Sequence, residues 1–234
     1  MKRIVLGFLV ALAVATAPVV AAPPTGTEIS VSGSGSVALP PDMATVNASV
    51  ETNAASASDA VAQNNVTYDR IVEALVKIGV ARGDISLASY NVSYNPKPRV
   101  VAPNPDGERY GYTVSREFNV KVRDIGKTGR VTDATTGSGA TAINGVSFGL
   151  ADTSGPRARA TRKAVDDARA SADALAAAAG LHIVSIKSME LGGGGVVTPG
   201  PMMRMAAASA APTQFDQSNV NVVVSVSVTY FAEP

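Results

Sequence analysis

Residues 219–231 read NVNVVVSVSVTYF. Val220, Val222, Val224, Val226, Val228 and Tyr230 fall on one side of an extended chain, and Asn221, Ser225, Ser227 and Thr229 on the other. A period of two over so long a run predicts a β-strand with one face on a core and one polar face. One hundred residues upstream the pattern recurs. Val120 and Val122 stand at the offset of Val220 and Val222, in a strand expected from Tyr110 to Val122 with Tyr112, Val114 and Phe118 on the same face. The offset extends further back: Val46 matches Val146, Val50 matches Leu150, Leu75 matches Leu175, and Gly79 falls one short of Gly180.

Each half therefore has the same order. Thr45–Val50 alternates as a strand, Ser56–Ile78 has a helical apolar face (Val61, Tyr68, Ile71, Leu75, Ile78), and Ile85–Tyr94 is extended. In the second half, Ile143–Leu150 is a strand. Pro156–Ala179 is an Ala-rich helix capped by Thr153 or Ser154 and stopped by Gly180, and Ile183–Leu191 is a strand. The Pro-rich stretch 95–108 and the Gly/Pro/Ala-rich stretch 192–217 read as long hairpin loops. Residues 28–38, EISVSGSGSVA, add an N-terminal strand, and Ile125–Thr136 a short linking helix. The expected class is α+β: two β-α-β-β units, an extra first strand and a linking helix, with largely antiparallel sheet and helices packed on it. The two pseudo-repeat lobes are expected at about 43–123 and 140–231.

The chain opens MKRIVLGFLVALAVATAPVVAAPP. Lys2 and Arg3, an apolar run of about a dozen residues and small residues around Ala21 and Ala22 form the pattern of a secretory signal. Residues 1–22 are expected to be a signal peptide, and the mature chain from about residue 28 to 234 one domain without a transmembrane helix. Losing Lys2 and Arg3 takes the net charge from +1 to −1. That balance gives no support to nucleic-acid binding. With no Cys and one His among 234 residues, disulfides, zinc–thiolate sites and thiol catalysis are excluded, and a serine triad has a single base to use.

Several stretches resemble the SIMPL-domain family, which includes periplasmic immunogenic and oxidative-stress-defence proteins of bacteria. They are ISVSGSGSVALPPDMATV (29–46), LVKIGVARGDISLASYNVSYNP (75–96), the run from Gly111 to Phe148 including Asp124, RKAVDDARASADALAAAAGL (162–181) and the final valine strand. The resemblance implies a protein of the periplasm or outer membrane with a link to oxidative or envelope stress. It implies no catalytic residue, since the family has no established one.

Candidate chemistry is sparse. GVSFG (145–149) matches the nucleophile-elbow motif, but the alternation of Val146, Phe148 and Leu150 places Ser147 inside a strand, with His182 as the only base. GSGS (33–36) lacks the helix start that a phosphate cradle needs and reads as a bulge or sheet edge. Met202, Met203 and Met205 are candidate thioether ligands for Cu(I), or else an apolar loop tip that packs on a neighbouring subunit. Arg162–Asp166, Lys163–Asp167 and Arg169–Asp173 have ion-pair spacing on the last helix. Asp42, Asp84, Asp124, Asp133 and Asp152 read as turn and helix caps.

No cofactor is expected. The leading expectation is a non-enzymatic, homo-oligomeric structural or binding module. Its contact candidates are Ala168, Ala172, Leu175, Met202, Met203 and Met205, because a helix thin in bulk packs only where another backbone comes close. The alternatives are a metal- or small-ligand-binding periplasmic protein, a weak hydrolase, and a signalling adaptor like eukaryotic relatives.

Overall fold

The computed structural model describes residues 26–97, 110–197, 213–215 and 217–234. Eight strands and three α-helices follow one another among them. In chain order they are β1 (Thr27–Leu39), β2 (Met43–Ala54), α1 (Ala57–Lys77), β3 (Ile85–Asn95), β4 (Gly111–Val122), α2 (Thr128–Gly137), β5 (Ala142–Gly149), α3 (Ser154–Ala178), β6 (His182–Leu191), β7 (Gly195–Val197) and β8 (Val220–Glu233). The class is α+β with antiparallel sheets, as expected. The short β7 lies inside the stretch read as loop. It continues the pairing of the β6 side along β8, opposite Asn221, Val222 and Val223.

The two units appear in the predicted chain order, but the first strand of the second unit leaves it for the sheet of the first. One sheet has the order β3-β4-β2-β5 and carries α1 and α2. The other has the order β1-β8-β6 with β7 also on β8, and carries α3. Thus β5, which begins the second unit, pairs with β2, and the extra strand β1 fills its place beside β8. Val46 and Val146, related by the hundred-residue offset, lie directly opposite each other in the β2–β5 ladder. Asp42 ties the two crossings together: its N–H donates to the Gly149 carbonyl (3.0 Å) and its Oδ1 accepts from Ala151 N (2.6 Å).

The two long helices stop at the glycines their sequence marks, but the cap expected for α3 does not form: Thr153 stands at its N-cap without a side-chain capping hydrogen bond. The Ser56 hydroxyl accepts from Asp59 N (3.1 Å) at the start of α1. Gly79 adopts φ +93° after its end, and Val80 N donates to the Leu75 carbonyl (3.0 Å). Gly180 does the same for α3 at φ +71°, with Leu181 N on the Ala176 carbonyl (2.8 Å).

The α1 sheet has a bulky core of Val46, Val50, Ile71, Leu75, Phe118 and Val120, with the Tyr68 ring edge-on to Phe118 at 5.3 Å. The α3 sheet has a different core. Alanines 160, 164, 168, 172 and 176 form one fully buried line on α3, against Ile29, Val226, Val228 and Tyr230. A line of methyl groups packs only if the helix backbone comes very close. Gly33 and Gly35 on β1 make that possible: a Cβ on either would lie 2.1 Å from the carbonyl oxygen of Ala164 or Ala160 respectively. The register of β1 with β8 runs through GSGS without a shift, so these glycines serve helix approach rather than a bulge.

Candidate functional site

The sequence pointed to Ala168 and Ala172 as contacts for another subunit. Both are fully buried, and the backbone that comes close to α3 is the chain's own β1. They are therefore not available at the surface. Leu175, on the same helix, is 51% exposed. Met202, Met203 and Met205 lie outside the described residues, so neither of their readings gains a structural account. Of the three ion pairs expected on α3, only Arg169–Asp173 closes (2.9 Å). Lys163 and Asp167 turn to the β1 main chain instead, the ammonium donating to the Ser36 carbonyl (3.0 Å) and the carboxylate accepting from Ser34 N (2.9 Å).

The helices cover only part of each sheet. On β4, the buried residues Val114, Phe118 and Val120 pair with Val92, Leu87 and Ile85 of β3, so those residues share the helix face. Yet Leu87, Tyr90, Val92 and Tyr94 remain exposed, beyond the reach of α1. Arg116 marks the border. Its guanidinium sits over the Tyr68 ring (4.5 Å) and the Tyr90 ring (5.0 Å), and Nη2 donates to Asn65 Oδ1 (2.6 Å). The α3 sheet repeats the arrangement: Ile186, Met189 and Leu191 of β6 pair with Tyr230, Val228 and Val226 and are themselves exposed. β3 and β6 thus each carry an apolar strip that the helices leave uncovered. The signal missed in the sequence is the emptiness of ISLASYNVSYN (85–95), which holds no charged residue.

A cleft of about 750 Å³ opens between α2 and β5, lined by Thr132, Asp133, Thr136, Ile143, Val146 and Phe215 among others. The segment Thr213–Phe215 forms its far side. Asp133 holds this segment by accepting from Thr213 Oγ1 (2.6 Å) and Thr213 N (3.3 Å). Gly129 admits it, since a Cβ there would sit 1.9 Å from the Thr213 carbonyl oxygen. Phe215 meets the Phe148 ring edge-on at 6.2 Å.

The aspartates read as caps divide into several roles. Asp124 accepts from Gly126 N (3.1 Å) and Asp152 from Ser154 N (2.8 Å), which are caps. The Ser154 N–H, followed by its hydroxyl, holds the Asp152 carboxyl below its ordinary value. Asp133 is the clamp just described, and Asp42 the tie between the sheets. Asp84 is buried and takes a two-pronged hydrogen bond from Arg123, Nε at 2.8 Å and Nη2 at 2.7 Å. That bond lowers the Asp84 pKa, against the opposing effect of burial. Ser147 is exposed on β5, and His182 is exposed at the start of β6, in the other sheet. Among the described residues no group of three or more His, Asp or Glu is placed to hold a metal ion, and no helix is long and apolar enough to cross a membrane.

The fold and these surfaces define a two-sheet α+β module whose edge strands expose apolar side chains. The family model SIMPL, described as a protein of unknown function (DUF541), matches residues 29–230, and the chain belongs to this family. It is similar to the "26 kDa periplasmic immunogenic protein" of Brucella melitensis, 29% identical over 160 residues, which covers 66% of this chain and 62% of that protein. It is also similar to the "Uncharacterized protein YggE" of Escherichia coli K12, 28% identical over 217 residues, which covers 90% of this chain and 85% of that one. The chain thus matches about three fifths of the length of its Brucella relative.

Proposed function

We propose that this chain is an exported, non-enzymatic SIMPL protein that acts as an oligomeric structural or binding module of the bacterial periplasm or outer membrane, with a role in oxidative or envelope stress defence. The observation that carries assembly is the pair of uncovered apolar strips on β3 and β6. Export rests on the charged and apolar order of residues 1–22, and the periplasm also on the name of the Brucella relative. Sedimentation velocity of the mature protein tests assembly: a species larger than the monomer is expected at micromolar concentration, and a lone monomer there defeats it.

The non-enzymatic reading has its own test. Ser147 lies within strand β5 and His182 belongs to the other sheet, which supports reading GVSFG as strand sequence rather than a nucleophile elbow. Purified protein should hydrolyse a short-chain p-nitrophenyl ester no faster than the Ser147→Ala variant does. Activity that disappears with Ser147→Ala and survives Ser34→Ala would make the protein a hydrolase. A second reading, small-ligand binding, is favoured by the cleft between α2 and β5, whose size and mixed lining suit a compact amphipathic molecule.

A further inference from the structure

β1, β6, β3 and β5 are the end strands of the two sheet paths, and all but β3 are protected against further pairing. On β1, the side chains of Asp167 and Lys163 occupy the Ser34 N–H and the Ser36 carbonyl. On β6, the ladder is broken by two register shifts, and Lys187 and Glu190 add charge. On β5, eight residues long, the ladder shifts near Asn144 and the Thr213–Phe215 segment stands across the cleft. Bulges, charges, short length and covering segments are the devices by which proteins keep sheet edges from pairing.

The β3 edge has almost none of these. It is eleven residues long, every residue from Ser86 to Asn95 is exposed, and it contains no charge. Its one register shift, between Leu87 and Ser89, leaves residues 89–95 as a regular run. Among the described residues, Ser86–Tyr94 make no hydrogen bond on the side away from β4. An open main-chain edge asks for a β-strand as its partner.

Building on the assembly proposed above, we infer that this partner is β3 of a second copy, paired antiparallel about a twofold axis at Val92. The argument for self-pairing is the uncharged sequence, which meets itself without repulsion, together with the position of Val92 at the centre of the regular run. This register sets Val92 opposite Val92 and Tyr90 opposite Tyr94. A twofold axis perpendicular to the sheet keeps the helices of both copies on one side. The two apolar strips then merge into a single floor between two α1 helices, and two four-stranded sheets become one.

The chain has no cysteine, so single cysteines report the register. Directly opposed residues of an antiparallel pair lie about 4.5–5.5 Å apart at Cα, within disulfide range. Oxidised Val92→Cys is expected to form a covalent dimer. Tyr90→Cys and Tyr94→Cys should each stay unlinked alone and cross-link when mixed. Val92→Lys, with its circular dichroism unchanged, should weaken self-association at least tenfold. An oligomeric wild type that keeps its size in Val92→Lys, with Val92→Cys remaining a free thiol, overturns β3 pairing and leaves assembly standing. A monomeric wild type with no cross-linking at position 92 overturns both.

Discussion

Gly35→Val is expected to lose about 3 kcal/mol or more of stability, at or above the upper end of ordinary overpacking. The new Cβ alone would lie 2.1 Å from the Ala160 carbonyl oxygen and 2.6 Å from Ala164 N. These are main-chain atoms of a 25-residue helix, so no side-chain rotation relieves the contact. α3 must lift from β1, and the buried line from Ala160 to Ala176 then loses the close approach on which its packing depends. Gly33→Val should act alike, with its Cβ 2.1 Å from the Ala164 carbonyl oxygen. Gly193→Ala, where a Cβ meets nothing within 4 Å, should leave stability unchanged and serves as the control. Urea denaturation followed by circular dichroism measures all three. A Gly35→Val midpoint equal to that of the wild type would mean that α3 does not sit on β1 as described.

Phe118→Ala should cost about 3–5 kcal/mol, the usual range for a fully enclosed aromatic ring. Phe118 is fully buried beside Tyr68 in the α1 sheet and touches nothing of the α3 core. For a chain of this size the loss corresponds to a fall in melting temperature of roughly 6–20 °C. The strand exchange adds a further expectation. Because β1 precedes β2 and β5 precedes α3, unfolding either sheet pulls on a strand of the other at two crossings, and Asp42 binds the crossings together. Calorimetry should therefore show one transition, moved downward as a whole. Two separated transitions, with only the lower one shifted, would show that the sheets melt independently.

The alternation of Val220 to Tyr230 and the helix stops at Gly79 and Gly180 were legible because each depends on local chemistry alone. The exchange of β1 and β5 was not. Alternation tells which side of a strand is buried and says nothing of its neighbour, and the offset linking Val46 to Val146 fits equally well with the two strands in separate sheets. The Ala line of α3 was visible, and so was its need for a close backbone. What was missed is that GSGS, far away in sequence, supplies that backbone by removing two Cβ atoms from β1. Asp133 looked like a cap because its partner, Thr213, belongs to a distant loop. For the β3 strip the signal was an absence, the lack of any charge over eleven residues, which carries meaning only once the strand is known to lie at an edge.

The pairing of β1 with β8 has a consequence for biogenesis. Ser30 and Thr229, whose hydroxyls share a hydrogen bond (3.0 Å), are 199 residues apart in the chain. At a synthesis rate of about 5–20 residues per second, the first strand waits roughly 10–40 s for its partner to be made. During that interval its valines have no sheet beside them, and for most of it its glycines have no helix above them. The α1 sheet can close earlier, on its own helices. Any factor that shelters nascent polypeptide would find its longest-lived target in residues 27–39, and a ribosome-stalling series should show protease resistance spreading from the middle of the chain outward, reaching the first strand last.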